Sequence, residues 1–182
     1  MIRLFLRLPV ALLVLASLSW GMGMYFAQDP DVVLDEGLER LTRTYPQARE
    51  RELILDEARM LSSRAWTGLN HLGLRSSALG QAKVFVTATH AASLGRTLPL
   101  GLLLAVAGVV AGLLFRERMR DARGYASPTA AGLGRLLLGG GVLWVGLFGI
   151  SPVGAPMSSC YVAFLAIAGG AALYTANLPL RL

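Results

Sequence analysis

One cysteine, one lysine, two histidines and a charged fraction of only 15% are what 182 residues provide. Cys160, alone, excludes an internal disulfide and any cysteine-based zinc or iron–sulfur site within one chain, and says nothing about redox compartment. His71 and His90 have no His, Cys or carboxylate three or four residues away, so they do not read as a metal or haem pair but as interfacial or packed histidines. Lys83 allows one Ser–Lys dyad, with Ser76 or Ser77, and no serine stands in a G-x-S-x-G elbow. The glycines at 139–141 lack the Lys-Ser/Thr of a phosphate loop. Neither an enzyme nor a cofactor is expected from these residues. Soluble domains carry about 25% charge; here 54% hydrophobic residues and a mean hydropathy of +0.56 exclude a soluble globule and disorder alike. What remains is a small integral membrane protein with room for one domain.

Uncharged runs place the spans. Leu8 to Phe26 follows Arg3 and Arg7 and is long enough to cross a hydrocarbon core of about 30 Å. A cleaved signal peptide is the alternative; the length of the run and the lack of an A-x-A-like site before Gln28 favour an uncleaved anchor. Thr97 to Phe115 is the second span, at the end of a longer helix starting near Ser77, with Pro99 a potential kink. Leu136 to Ile150 is short, extends backward through Ala130 if Arg135 snorkels, and is weakened by Gly139-Gly140-Gly141. After a turn at Ser151–Pro156, Met157 to Thr175 completes a hairpin. Trp20, Tyr25, Trp144, Tyr161 and Tyr174 suit interfacial anchoring or packing. The expectation is all-α: an anchor helix at 1–26, a helical extracytoplasmic segment at 27–96, and a three-helix membrane bundle at 97–182.

Between the first two spans the composition inverts. Residues 27–96 hold nine of the eleven acids and nine of the seventeen bases, for no net charge. Asp31 can cap a helix carrying Val33, Leu34, Leu38 and Leu41 at helical spacing, ended by Tyr45-Pro46. A second amphipathic helix fits Gln47 to about Thr67, with Leu53, Ile54, Ala58 and Leu61 on one face. Such a segment closes no large core alone, so it packs against itself, the bilayer surface or a partner. The short-loop arginines set the orientation: Arg3, Arg7, Arg181 and the basic loop at 116–135 with Arg116, Arg118, Arg120 and Arg123 share one side in a four-span layout. The positive-inside rule puts both termini in the cytoplasm of a bacterial inner membrane and 27–96 outside. Topology alone accounts for these arginines, so they do not point to direct nucleic-acid binding.

No ionisable residue lies at the centre of a proposed span, which argues against a pump, a proton-coupled transporter or a charged-substrate channel. The spans are rich instead in small residues at close spacing. Gly108 and Gly112 form a G-x-x-x-G, and Ala166 with Gly170 and Ala168 with Ala172 repeat the pattern. Such faces let helix backbones approach closely in lipid, either within one bundle or with another chain.

The order of parts resembles the inner-membrane protein family encoded by integrating conjugative elements and associated with type IV secretion. The resemblance rests on one N-terminal span, a charged outer segment, a span running through Val109-Val110-Ala111-Gly112-Leu113-Leu114-Phe115 into Arg116-Glu117-Arg118-Met119-Arg120-Asp121, and a close hairpin with Pro152-Val153 at its turn. It implies a subunit of conjugative transfer machinery. The expected function is therefore that of a non-enzymatic structural or accessory subunit in a hetero-oligomeric membrane assembly, with lipid and other membrane subunits as partners. The alternatives are an accessory subunit of an energy-converting membrane complex, or a small permease or channel.

Overall fold

The computed structural model describes residues 2–25, 29–71, 77–121, 126–152 and 157–178. Among these the protein is all-helical, with α1 (Ile2–Tyr25), α2 (Pro30–Thr44), α3 (Ala48–His71), α4 (Ala78–Asp121), α5 (Pro128–Ile150) and α6 (Ser158–Ala176). Three helices are long and apolar enough to cross a membrane: α4 over Ala78–Met119, α5 and α6; α1 contributes a shorter apolar stretch, Val10–Met22. This architecture is compatible with a multi-pass membrane protein. Arg123 and the turn residues 153–156 lie outside the described residues, as do Ser76 and Arg181.

Helix α2 starts two residues earlier than a cap at Asp31 would place it. Asp29, not Asp31, is the N-cap: its carboxylate accepts from the Asp31 N–H at 3.2 Å, and Pro30 occupies the first helical position. Proline is favoured there because its missing N–H has no intrahelical partner to lose. The helix ends at Tyr45, whose following proline disfavours helical backbone. In α3 the inward stripe is Ile54, Ala58 and Ser62 at strict i, i+4 spacing, while Leu53 and Leu61 are exposed. Ser77 Oγ accepts from the Gly80 N–H and so caps α4, and Ser127 Oγ does the same for α5 by accepting from Ala130. At about 1.5 Å per residue the 44 residues of α4 run to about 66 Å, over twice a hydrocarbon core. Pro99 lies inside that helix without ending it.

The chain divides into two compact units: Met1–Arg96 with Gly146–Met157, and Thr97–Val145 with Ser158–Leu182. In the first, Val33, Ala82 and Val86 form one buried cluster, and Leu41, Ile54 and Ala92 a second that brings α2, α3 and α4 together. Gly37 sets how closely α2 meets α4, since a Cβ there would come within 2.9 Å of the Val86 methyl. Arg96 reaches Glu57 on α3 at 3.0 Å. Helix α1 joins the end of α5: Trp20 Nε1 donates to the Ile150 carbonyl at 2.9 Å, and the Ser19 and Ser151 hydroxyls lie 2.6 Å apart.

In the second unit α6 is the middle helix. On one face it meets α4 in parallel, with Gly101 against Phe164, Gly108 against Ala168, and Gly112 against Ala172 and Thr175. On another it meets α5 in antiparallel register, with Gly134 against Gly170 and Tyr174, and Gly141 against Ala163 and Ile167. Large apolar side chains point outward: Leu103 is 69% exposed, Leu136 74% and Val162 66%. Small inside and large outside is the reverse of a soluble core. It suits lipid, whose tails solvate leucine as well as any protein interior and leave close backbone packing as the main attraction.

Candidate functional site

Two places have the geometry to do something: the glycine seam of the second unit and a pocket with polar groups in the first. The seam is built from matching small-x-x-x-small motifs. Gly108 and Gly112 of α4 face Ala168 and Ala172 of α6, so closely that a Cβ on Gly108 would overlap the Ala168 carbonyl. Thr175 is in turn tied to its own helix, its hydroxyl donating to the Ala171 carbonyl at 2.7 Å. Gly170 faces the other way, toward α5, where a Cβ would stand 2.7 Å from the Leu138 nitrogen and 2.8 Å from the Gly134 carbonyl oxygen. Ala166 lies in neither contact; it is half-buried and lines an open apolar groove between α5 and α6. At the far end of the unit Asn177 Oδ1 accepts from the Ser127 N–H at 2.8 Å, and the Arg135 guanidinium lies over the Tyr174 ring, 5.1 Å from its centroid. Arg116 is half-buried and Arg118 exposed on the last turns of α4; of Arg120 only the backbone is described.

The pocket is an open cleft of about 280 Å³ between α2, the first half of α4 and the end of α5. Arg40 and Arg43 lie on its α2 side, each paired with the glutamate four residues earlier: Arg40 with Glu36 at 3.1 Å, Arg43 with Glu39 at 2.6 Å. From α4 come Thr89, His90 and Ser93, all buried. His90 Nδ1 stands 3.3 Å from the Ser151 carbonyl oxygen, which can only accept, so Nδ1 carries a proton and in the neutral tautomer Nε2 is the acceptor. The ring rests on Phe148, with centroids 4.9 Å apart. The hydroxyls of Thr44 and Thr89 donate to the Arg40 and Phe85 carbonyls of their own helices, which leaves their oxygen lone pairs as acceptors. The site thus combines the two arginines and the Thr44 hydroxyl of α2 with acceptors on α4, and Phe148 and Met157 are its apolar walls.

No family model, curated protein or solved structure matches the chain. The residues alone must therefore carry the reading. Among the described residues no group of three or more His, Cys, Asp and Glu could hold a metal ion. Ser77 spends its hydroxyl on capping α4, six positions before Lys83.

Sequence reasoning picked out Gly108, Gly112, Ala166 and Gly170, and the structure brings the first two onto α6 and the fourth onto α5. It passed over Arg40, Arg43 and Thr89. A signal exists for Thr89: with His90, Ser93 and Thr97 it interrupts an otherwise apolar helix with polar groups at helical spacing, and such groups need partners when buried.

Proposed function

We propose that the protein is a non-enzymatic structural or accessory subunit of a larger membrane assembly, and that the groove between α5 and α6 receives a helix of another subunit. Gly140 carries this reading. It is exposed in the middle of α5, a Cβ on it would meet nothing within 4 Å, and the same holds for Gly132 and Gly139. A glycine in a helix interior costs about 1 kcal/mol relative to alanine, and nothing within the described chain exploits its missing side chain. A partner backbone would. The groove beside it, about 420 Å³, is lined by Leu136 and Trp144 of α5 and by Val162 and Ala166 of α6, an apolar channel fit for a helix in lipid.

The arginine distribution supports a bacterial inner membrane, both termini cytoplasmic and residues 27–96 outside. The order of parts supports conjugative transfer machinery as the specific assembly. Extraction from native membranes in a mild detergent, followed by mass measurement, should give a particle well above the 19.4 kDa chain. Gly140→Leu should shed the partner while the chain itself stays folded. A monomeric wild type in several mild detergents overturns the proposal. Reporter fusions at Arg59, Arg120 and Leu182 should read outside, inside and inside, and an outside signal at Arg120 reverses the orientation.

A further inference from the structure

We propose that the cavity between α2, α4 and the end of α5 binds a small phosphate ester bearing free hydroxyls, of the size of a glycerophosphate headgroup. The anion is argued from the α2 wall. Arg40 and Arg43 stand three residues apart on one helix turn, and no carboxylate lines the cavity with them. Each guanidinium has five N–H donors, and the contacts to Glu36 and Glu39 each engage Nη2. Two planar forks exceed what one carboxylate can accept bidentately, whereas the oxygens of a phosphate serve both.

The hydroxyls of the ligand answer to acceptors on both walls, Thr44 on α2 beside the arginines and Thr89 and His90 on α4. His90 Nε2 and the oxygens of Thr44 and Thr89 are acceptors once their own protons are committed to backbone carbonyls. Inorganic phosphate carries its O–H only on the oxygens that the arginines engage, and a choline ester carries none. A glycerol ester offers O–H donors three and four bonds from its ester oxygen. Size points the same way, since about 280 Å³ is just below the lower end of small-molecule sites, about 300 Å³. The buried faces of Phe148 and Met157 suit the carbon skeleton. The same chemistry is found on a free glycerol phosphate and on the headgroup of phosphatidylglycerol.

The test uses the full chain in two arms. In dodecyl maltoside, sn-glycerol 3-phosphate is titrated while the unfolding midpoint is followed. In nanodiscs of phosphatidylglycerol or phosphatidylcholine, retained lipid is read by native mass spectrometry. Saturable stabilisation, or selective retention of phosphatidylglycerol, is expected, and the arm that responds identifies the soluble or the lipid source. Arg40→Gln with Arg43→Gln removes both guanidiniums from the rim and should weaken binding by about tenfold or more, the scale of losing charge-assisted hydrogen bonds. Glu36→Gln with Glu39→Gln frees the guanidiniums and should tighten it. The proposal is overturned if neither probe binds saturably, if the double arginine variant binds like wild type, or if phosphatidylcholine is held as well as phosphatidylglycerol.

Discussion

Gly108 on α4 lies directly against the backbone carbonyl of Ala168 on α6, with no room for even one added carbon. Replacing Gly108 and Gly112 together by leucine should therefore part the two helices, at about 1–3 kcal/mol per site from overpacking. Thermal unfolding in detergent measures the loss. Val106→Leu and Val110→Leu are the controls, because both valines are well exposed and keep the apolar character. Equal midpoints for the double-leucine variant and the controls would mean that α4 does not depend on this contact.

Adjacent glycines on α6 should behave oppositely. Gly170 abuts the α5 backbone, whereas a Cβ on Gly169 would meet nothing within 4 Å. Gly170→Leu should lower the unfolding midpoint sharply. Gly169→Leu should leave it unchanged or raise it slightly through better helix propensity, worth up to about 1 kcal/mol. Identical effects at the two positions would contradict the packing of α6 on α5.

Cys160 has no exposed surface. A small maleimide should leave the folded chain unlabelled in detergent and label it stoichiometrically once it is unfolded, as read by the mass added per chain. Rapid labelling under native conditions would show that the start of α6 opens.

The ion pair between Arg96 and Glu57 joins α3 to α4 with both side chains partly solvated. A double-mutant cycle with Arg96→Gln and Glu57→Gln should give a coupling of about 0.2–1 kcal/mol, falling as salt is raised. A coupling that does not respond to salt would identify a desolvated pair.

How much of this was legible in the sequence depended on the range of the interaction. Helix positions rest on local periodicity, so α5 and α6 begin and end close to where the uncharged runs and Ser127-Pro128 place them, and α4 starts beside Ser77 but runs on to Asp121, past the uncharged run that ends at Phe115. Caps are nearly local, yet Asp29 displaced Asp31 because a proline at the first helical position fixes where the helix starts. The amphipathic face of α3 was half legible: Ile54 and Ala58 turn inward, but Ser62, not Leu61, completes the stripe because the contact follows a narrow i, i+4 row. The Gly108–Gly112 motif announced a close contact without naming its partner, since α4 and α6 meet across a sequence separation of about 60 residues. The cavity was hidden for the same reason. Arg40, His90 and Phe148 belong to three distant segments, each unexceptional in its own context.

Because the second unit is filled by backbone and small side chains, its mutational sensitivity runs opposite to that of a water-soluble core. Truncating Leu102, Leu103 or Val106 to alanine trims outward-facing apolar surface and opens no cavity. Enlarging Gly108, Gly134 or Gly170 forces backbones apart. An alanine scan would thus pass over the residues that matter most, and a leucine scan would map the seam.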